Sequence, residues 1–208
     1  MSDFNHEPSG LVTEQNKRPS ILKRITVSML EYLEILVFSL AVVLLLFTFV
    51  FRICKVSGDS MNNTLKDNES LIVTNLFYEP KPGDIVVFHQ TGYLNEPVVK
   101  RVIAVAGETV DIDFSTMKIT VTDNEGVVRV LDEPYAFYDS AAKNRYNSHS
   151  TDFSFPRTIP EGSIFVIGDN RYNSLDSRFK EVDFVDVRRV LGKVVFRIAP
   201  ISEFGIIK

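Results

Sequence analysis

The chain has 208 residues, which is room for about one domain with its own hydrophobic core. Its 23 basic and 27 acidic side chains nearly balance, which excludes the strongly basic surface typical of nucleic-acid-binding proteins. The single cysteine, Cys54, excludes an internal disulfide framework, and the three scattered histidines form no metal-ligand motif. We therefore expect no nucleic-acid partner, no metal and no cofactor.

The first strong feature along the chain is an apolar run at residues 35–51, ILVFSLAVVLLLFTFVF. At about 1.5 Å per residue, a helix of this length spans most of a bilayer, and Arg52 can extend to the headgroups. We predict a transmembrane helix at residues 31–54. A core helix of a soluble domain is less favoured because nothing else in the chain is apolar enough to cover it. A removable signal peptide is less favoured because residues 51–53 include no small side chain for cleavage.

Basic side chains are distributed unequally around this run. Only Arg52 and Lys55 closely follow it, whereas four basic residues precede it, namely Lys17, Arg18, Lys23 and Arg24. The positive-inside rule then predicts a cytoplasmic tail at residues 1–30, and its polar start with Pro and Gly indicates disorder. Residues 55–208 are predicted to form an extracytoplasmic domain at the cell membrane, anchored by a single pass through the lipid bilayer.

The predicted outer domain consists of short β-branched runs between turn residues, without a convincing amphipathic helix. Residues 123–126, DNEG, indicate a hairpin loop, and the polar segment 135–156 indicates an exposed excursion. The predicted strands lie at residues 71–74, 84–89, 98–106, 108–113, 118–122, 127–131, 163–167 and 191–198. This pattern favours an all-β fold, an antiparallel, partly closed β-barrel, because closure protects sheet edges.

The stretch at residues 96–107, EPVVKRVIAVAG, places two cations inside an otherwise apolar strand. Neighbouring strand residues point to opposite faces, so Lys100 and Arg101 must have different surroundings. One interpretation is an edge strand with both cations solvated, which discourages aggregation. The other is that Lys100 is buried, in which case desolvation lowers its pKa and makes it available as a base.

Two polar segments contain glycine and serine close together, at residues 57–61, SGDSM, and 168–178, GDNRYNSLDSR. Gly58 permits a tight turn that exposes the Ser60 hydroxyl, as a nucleophile requires, although Gly-Asp-Ser is also a common turn. A serine nucleophile needs a base. Lys100 is the best candidate because each histidine lies in an unfavourable place: His6 in the tail, His89 at a strand end and His149 in the excursion.

Four segments, taken together, resemble the catalytic boxes of bacterial type I signal peptidases, which are serine proteases with a Ser-Lys dyad. They follow the apolar run in the order typical of that family, at residues 57–65, 83–88, 100–108 and 168–178. The resemblance implies that Ser60 is the nucleophile, that Lys100 is the general base and that Ser174 hydrogen-bonds and orients the lysine. One departure is Asn63, where the family usually has proline.

The resemblance also implies supporting roles around the dyad. Three residues would form a charge network beside the site, namely Arg101, Asp176 and Arg178. The Ser60 amide would supply one oxyanion donor, and Gly58 stands where some members have a serine that supplies the second. Four apolar residues would line pockets for small side chains, namely Met61, Leu65, Val87 and Val99.

The implied function is a membrane-anchored endopeptidase that removes signal peptides from translocated secretory preproteins after Ala-x-Ala sites, close to the translocation machinery. Self-cleaving Ser-Lys repressors share the dyad, but they need an N-terminal DNA-binding domain where this chain has a membrane span. A catalytically inactive, membrane-anchored β-domain that binds secretion partners is the alternative from another class. The presence of Ser60, Lys100 and Ser174 together argues against it.

Overall fold

The computed structural model describes residues 21–89, 96–138 and 152–207. The chain divides into two compact units, Met1–Leu44 and Leu45–Lys208. Residues 1–20 of the predicted tail and the central part of the predicted excursion, residues 139–151, lie outside the described residues.

The first element is the helix α1, Ile21–Phe49. Within it, Ser28–Thr48 is long and apolar enough to cross a membrane, judged by its length and composition. Its 21 residues extend about 31 Å, close to the thickness of a bilayer's hydrocarbon core. The helix begins earlier than we predicted, so residues 21–30 are helical and do not belong to an irregular tail.

The helix also ends earlier than the predicted residue 54. Phe51–Lys55 form a strand, β1, which pairs antiparallel along its whole length with β2, Ser70–Thr74. Cys54 packs against buried core residues, while Ile53 on the opposite face is 74% exposed. The prediction was wrong here because apolar residues suit a helix and a strand equally, and the partner strand that decides between them lies further along the chain.

Ten further strands complete two antiparallel sheets in the described part of the chain. They are β3 Ile85–Phe88, β4 Val98–Val105, β5 Thr109–Asp113, β6 Lys118–Thr122, β7 Val128–Val130, β8 Arg157–Thr158, β9 Ser163–Ile167, β10 Val185–Asp186, β11 Val190–Ala199 and β12 Gly205–Ile206. Short 3-10 turns occupy Val187–Arg189 and Ile201–Glu203. All eight predicted strands are present, and the all-β, antiparallel prediction is confirmed.

The larger sheet has the order β1-β2-β11-β3-β4-β9-β10, with β12 paired to β11. Register shifts in β4 and β11 mark bulges, which bend strands and curl the sheet into a half-barrel that stays open between β1 and β10. The smaller sheet has the order β7-β6-β5-β8. The predicted partial closure is therefore confirmed.

Strand β4 lies inside the larger sheet, between β3 and β9. Lys100 and Arg101 on this strand are only 3% and 2% exposed. The edge-strand interpretation with two solvated cations is therefore wrong. Both cations are desolvated, so each needs a specific partner or a shifted pKa.

Candidate active site

Ser60 lies in a loop at residues 56–69, which we call the Ser60 loop. The loop is closed at its base, where the Val56 amide donates to the Glu69 carbonyl oxygen at 2.8 Å and the Asn68 amide donates to the Val56 carbonyl oxygen at 3.0 Å. Gly58 has a φ of 84°, which glycine adopts without strain. This turn leaves the Ser60 side chain half-buried at the surface of the domain.

Two apolar side chains anchor the Ser60 loop in the core. Met61 and Leu65 are 1% and 0% exposed, and they share one hydrophobic cluster with Val87 and Val99. Burial of large apolar side chains stabilises such a loop by about 1.5–3 kcal/mol each. The loop that carries the Ser60 hydroxyl is therefore fixed to the hydrophobic core.

Lys100 reaches Ser60 from β4. Its Nζ lies 2.8 Å from Ser60 Oγ and also donates to the Val99 carbonyl oxygen at 3.1 Å. Burial lowers the pKa of Lys100 to about 8; the Asp176 carboxylate opposes this shift and the Arg178 guanidinium reinforces it. A larger fraction of Lys100 is then neutral near pH 7 than of an ordinary lysine.

The loop that follows β9 is hydrogen-bonded to the backbone around Ser60. The Asn170 amide donates to the Ser60 carbonyl oxygen at 3.0 Å, and Asn170 Nδ2 donates to the Asp59 carbonyl oxygen at 3.1 Å. Gly168 lies against the same carbonyl group, because a Cβ added there would be 2.5 Å from the Ser60 oxygen and 2.2 Å from Ser174 Oγ. The close approach of these backbones requires glycine at this position.

The predicted charge network consists of two separate ion pairs. Arg101 bonds Asp169 through Nε at 2.9 Å and through a terminal nitrogen at 2.7 Å, whereas Arg178 bonds Asp176 at 2.8 and 2.9 Å. All four side chains are at most 3% exposed. Removing one partner of a buried pair costs about 3–5 kcal/mol, far more than for a pair on the surface.

The Arg178–Asp176 pair holds the segment at residues 168–178 in place. The Asp176 carboxylate also accepts a bond from the Gly168 amide at 3.0 Å, and Arg178 donates to the Arg171 carbonyl oxygen at 3.0 Å. Burial alone would raise the pKa of Asp176, but the charge and hydrogen bonds of Arg178 lower it below its usual value. A charged Asp176 therefore fixes the turn that contains Ser174.

Ser174 differs from its predicted role. It is completely buried, but in the described part of the chain its hydroxyl oxygen has no hydrogen-bond partner, so the predicted bond to Lys100 is not formed. The Ser174 hydroxyl lies near enough to the Asp176 carboxylate to help lower the pKa of that carboxyl group, although the two do not form a well-aligned hydrogen bond. Ser174 packs against Gly168, and the Lys100 ammonium is directed to Ser60 and the Val99 carbonyl group.

A groove of about 340 Å³ opens beside Ser60 and Lys100. Of the four predicted pocket residues, Met61 and Val99 line it, whereas Leu65 and Val87 are buried in the core and are not among the described lining residues. Gly58 also lines the groove. Eight further lining residues were not predicted from the sequence, namely Val56, Ser57, Asp59, Glu96, Pro97, Val98, Asn173 and Leu175.

Some of the missed groove residues could have been found from their position in the sequence. Asn173 and Leu175 flank Ser174 inside the most specific of the four motifs, and Val98 precedes Lys100 by one period of a strand. In the described ranges, no group of three or more His, Cys, Asp or Glu side chains is placed to hold a metal ion. The site places a hydroxyl beside an amine of lowered pKa, at the edge of the groove.

The sequence model of the family described as "Signal peptidase, peptidase S26" matches residues 29–199. The chain belongs to this family. It is 32% identical over 186 residues to "Probable signal peptidase I-1" of Synechocystis sp., a match that covers 84% of this chain and 85% of the relative. It is 30% identical over 187 residues to "Signal peptidase IB" of Staphylococcus aureus, with 85% and 92% covered.

Among solved structures, a signal peptidase I from Enterococcus faecalis V583 is 31% identical, with a TM-score of 0.38. This match covers 56% of the present chain and 97% of the other. As a signal peptidase, the chain is a serine endopeptidase that removes signal peptides from preproteins. The apolar helix α1 fits the membrane anchoring of such a protein.

Proposed function

We propose that this signal peptidase uses Ser60 as its nucleophile and Lys100 as its general base. The observation that carries the proposal is the 2.8 Å contact between Ser60 Oγ and Lys100 Nζ, formed by a lysine that is 3% exposed. General-base catalysis requires this distance and a base that is neutral near the working pH. The lowered pKa of Lys100, about 8, meets the second requirement.

The reaction begins when neutral Lys100 takes the proton of Ser60 and the serine oxygen attacks the scissile carbonyl carbon. The Ser60 amide stabilises the resulting oxyanion. Lys100 then protonates the leaving amine, and in its neutral form it later activates the water that hydrolyses the acyl-enzyme. The Gly58 amide donates to Asp67 Oδ1 at 2.8 Å, so it must leave this carboxylate before it can serve as a second oxyanion donor.

The size of the groove supports a preference for small residues before the scissile bond. Its volume is about 340 Å³, and Met61 and Val99 provide apolar walls next to the dyad. Large side chains at the first and third positions before the cleaved bond would need space that these buried residues occupy. We therefore propose cleavage after Ala-x-Ala sites.

We also propose that α1 crosses the membrane with its N-terminus in the cytoplasm, so that the domain beyond it faces outward. The basic residues before the apolar run, Lys17, Arg18, Lys23 and Arg24, support this orientation. The anchor then confines the dyad to the outer bilayer surface, where the cleavage sites of translocated preproteins emerge. Proximity to the translocation machinery follows from that location.

Ser60→Ala and Lys100→Ala test the dyad. In detergent, we expect the wild-type protein to cleave a preprotein with an Ala-x-Ala site, and each variant to lose activity because nucleophile or base is gone. Thermal unfolding provides the control, since both variants should remain folded. Full activity in either folded variant would contradict the assignment.

A further inference from the structure

Arg197, on the late strand β11, reaches the Ser60 loop. One terminal nitrogen donates to the Thr64 carbonyl oxygen at 2.9 Å, and the other donates to Glu69 Oε1 at 2.9 Å. The same guanidinium also bonds Glu203 in the turn after β11. A single side chain, 14% exposed, therefore ties the loop to the sheet at two positions.

Thr64 holds the Ser60 loop through two contacts, one of its backbone and one of its side chain. Its backbone is bonded to Arg197, and its hydroxyl donates to Asp169 Oδ2 at 2.5 Å. Asp169 in turn accepts two bonds from Arg101, the neighbour of Lys100 on β4. The loop that carries the nucleophile is thus fixed between β11 and the strand that carries the base.

Opposite charge strengthens the contact between Arg197 and Glu69. Glu69 is 2% exposed, and burial raises the pKa of its carboxyl group, while the Arg197 guanidinium opposes that rise. Glu69 also closes the base of the loop through its carbonyl oxygen, which accepts the Val56 amide. Loss of Arg197 would leave a buried carboxylate without its main counter-charge at the base of the loop.

We propose that Arg197 is a positioning residue for the peptidase reaction, because it holds residues 64–69 so that Ser60 Oγ remains within hydrogen-bond distance of Lys100 Nζ. Proton transfer requires that distance, and a displacement of about 1 Å costs on the order of 100-fold in rate. Arg197 is not among the described residues that line the substrate groove. Its loss should therefore lower kcat and leave KM nearly unchanged.

The proposal rests on the proposed function, because the test measures Ser60–Lys100 chemistry. We expect Arg197→Gln, in the full-length protein in detergent, to lower kcat for an Ala-x-Ala preprotein by roughly 10- to 100-fold. KM should stay within about twofold. Unchanged kcat, or a raised KM at unchanged kcat, would overturn the proposal.

Arg157→Gln is the matched control. Arg157 is 15% exposed, bonds Asp183 at 2.8 Å and stacks on Phe153 and Phe184, so it resembles Arg197 in burial and pairing but does not bond the Ser60 loop. We expect its loss to lower the melting temperature without changing kcat. A fall in kcat as large as that of Arg197→Gln would show that loss of stability alone explains both and would overturn the proposal.

The double variant Glu69→Gln, Arg197→Gln separates positioning from stability. It removes the unpaired buried carboxylate, so we expect the melting temperature to recover toward that of the wild type. We expect kcat to stay low, because the hydrogen bond from Arg197 to the Thr64 carbonyl oxygen is still absent. Recovery of kcat together with stability would overturn the proposal. An inactive wild type or an active Ser60→Ala variant would instead contradict the proposed function, so the two failures are distinguishable.

Discussion

At the scale of single residues, Gly168 shows how tightly the surroundings of Ser60 are packed. Its neighbours have little freedom to move, because Ser174 is fully buried and the Ser60 carbonyl group is bonded to the Asn170 amide. A Cβ would lie 2.2 and 2.5 Å from the nearest atoms of these two serines. A side chain at this position must therefore shift one of these groups, and we expect it to displace Ser60 relative to Lys100.

We predict that Gly168→Ala lowers kcat by on the order of 100-fold and destabilises the fold by about 1–3 kcal/mol, since overpacking moves the backbone. Preprotein cleavage and urea unfolding measure the two effects. Gly205→Ala is the control, because a Cβ at Gly205 meets no atom within 4 Å. Wild-type kcat in Gly168→Ala would contradict the described contact between the two backbones.

At the scale of elements, β1 joins the apolar helix directly to the catalytic domain. Only Val50 separates the end of α1 from β1, and all five residues of β1 pair with β2. The strand covers the edge of β2 and adds Cys54 to the core cluster that also contains Met61 and Leu65. The β-sheet therefore has its N-terminal boundary at Phe51, before the end of the predicted span.

Truncation tests this boundary. We predict that a protein starting at Val50 keeps the fold, whereas one starting at Val56 is less stable and aggregates, because the second lacks β1 and exposes the edge of β2. Thermal unfolding and light scattering distinguish the two proteins. Equal stability and solubility would contradict a structural role for β1.

At the scale of the whole molecule, the sequence predicted the elements whose patterns are local. The burial of side chains alternates along β5 and β6, and the predicted loop at residues 123–126 follows β6, so the period and the turn residues were sufficient to locate these strands. Strands β8, β10 and β12 have two residues each, and their partners alone define them. The end of α1 was missed for the same reason, since pairing with β2 decides it.

The candidate site shows a similar division. The four motifs identified Ser60 and Lys100, whose contact spans 40 positions of sequence, because motif residues can be matched one by one. They could not predict which partners pair: Arg101, Asp176 and Arg178 were expected in one charge network, whereas Arg101 bonds Asp169. Arg197 was missed altogether, because it lies outside every motif and contacts Thr64 across 133 positions.

The pH dependence of kcat/KM tests the central proposal most directly, namely that a buried, neutral Lys100 activates Ser60. Burial holds the folded-state pKa of Lys100 at about 8, so the active, deprotonated form increases as pH rises through that value. We predict a rising limb with a midpoint near pH 8 for an Ala-x-Ala preprotein, and no activity in Lys100→Arg, because arginine stays protonated. A profile that is flat between about pH 7 and 9, or an active Lys100→Arg variant, would contradict the account.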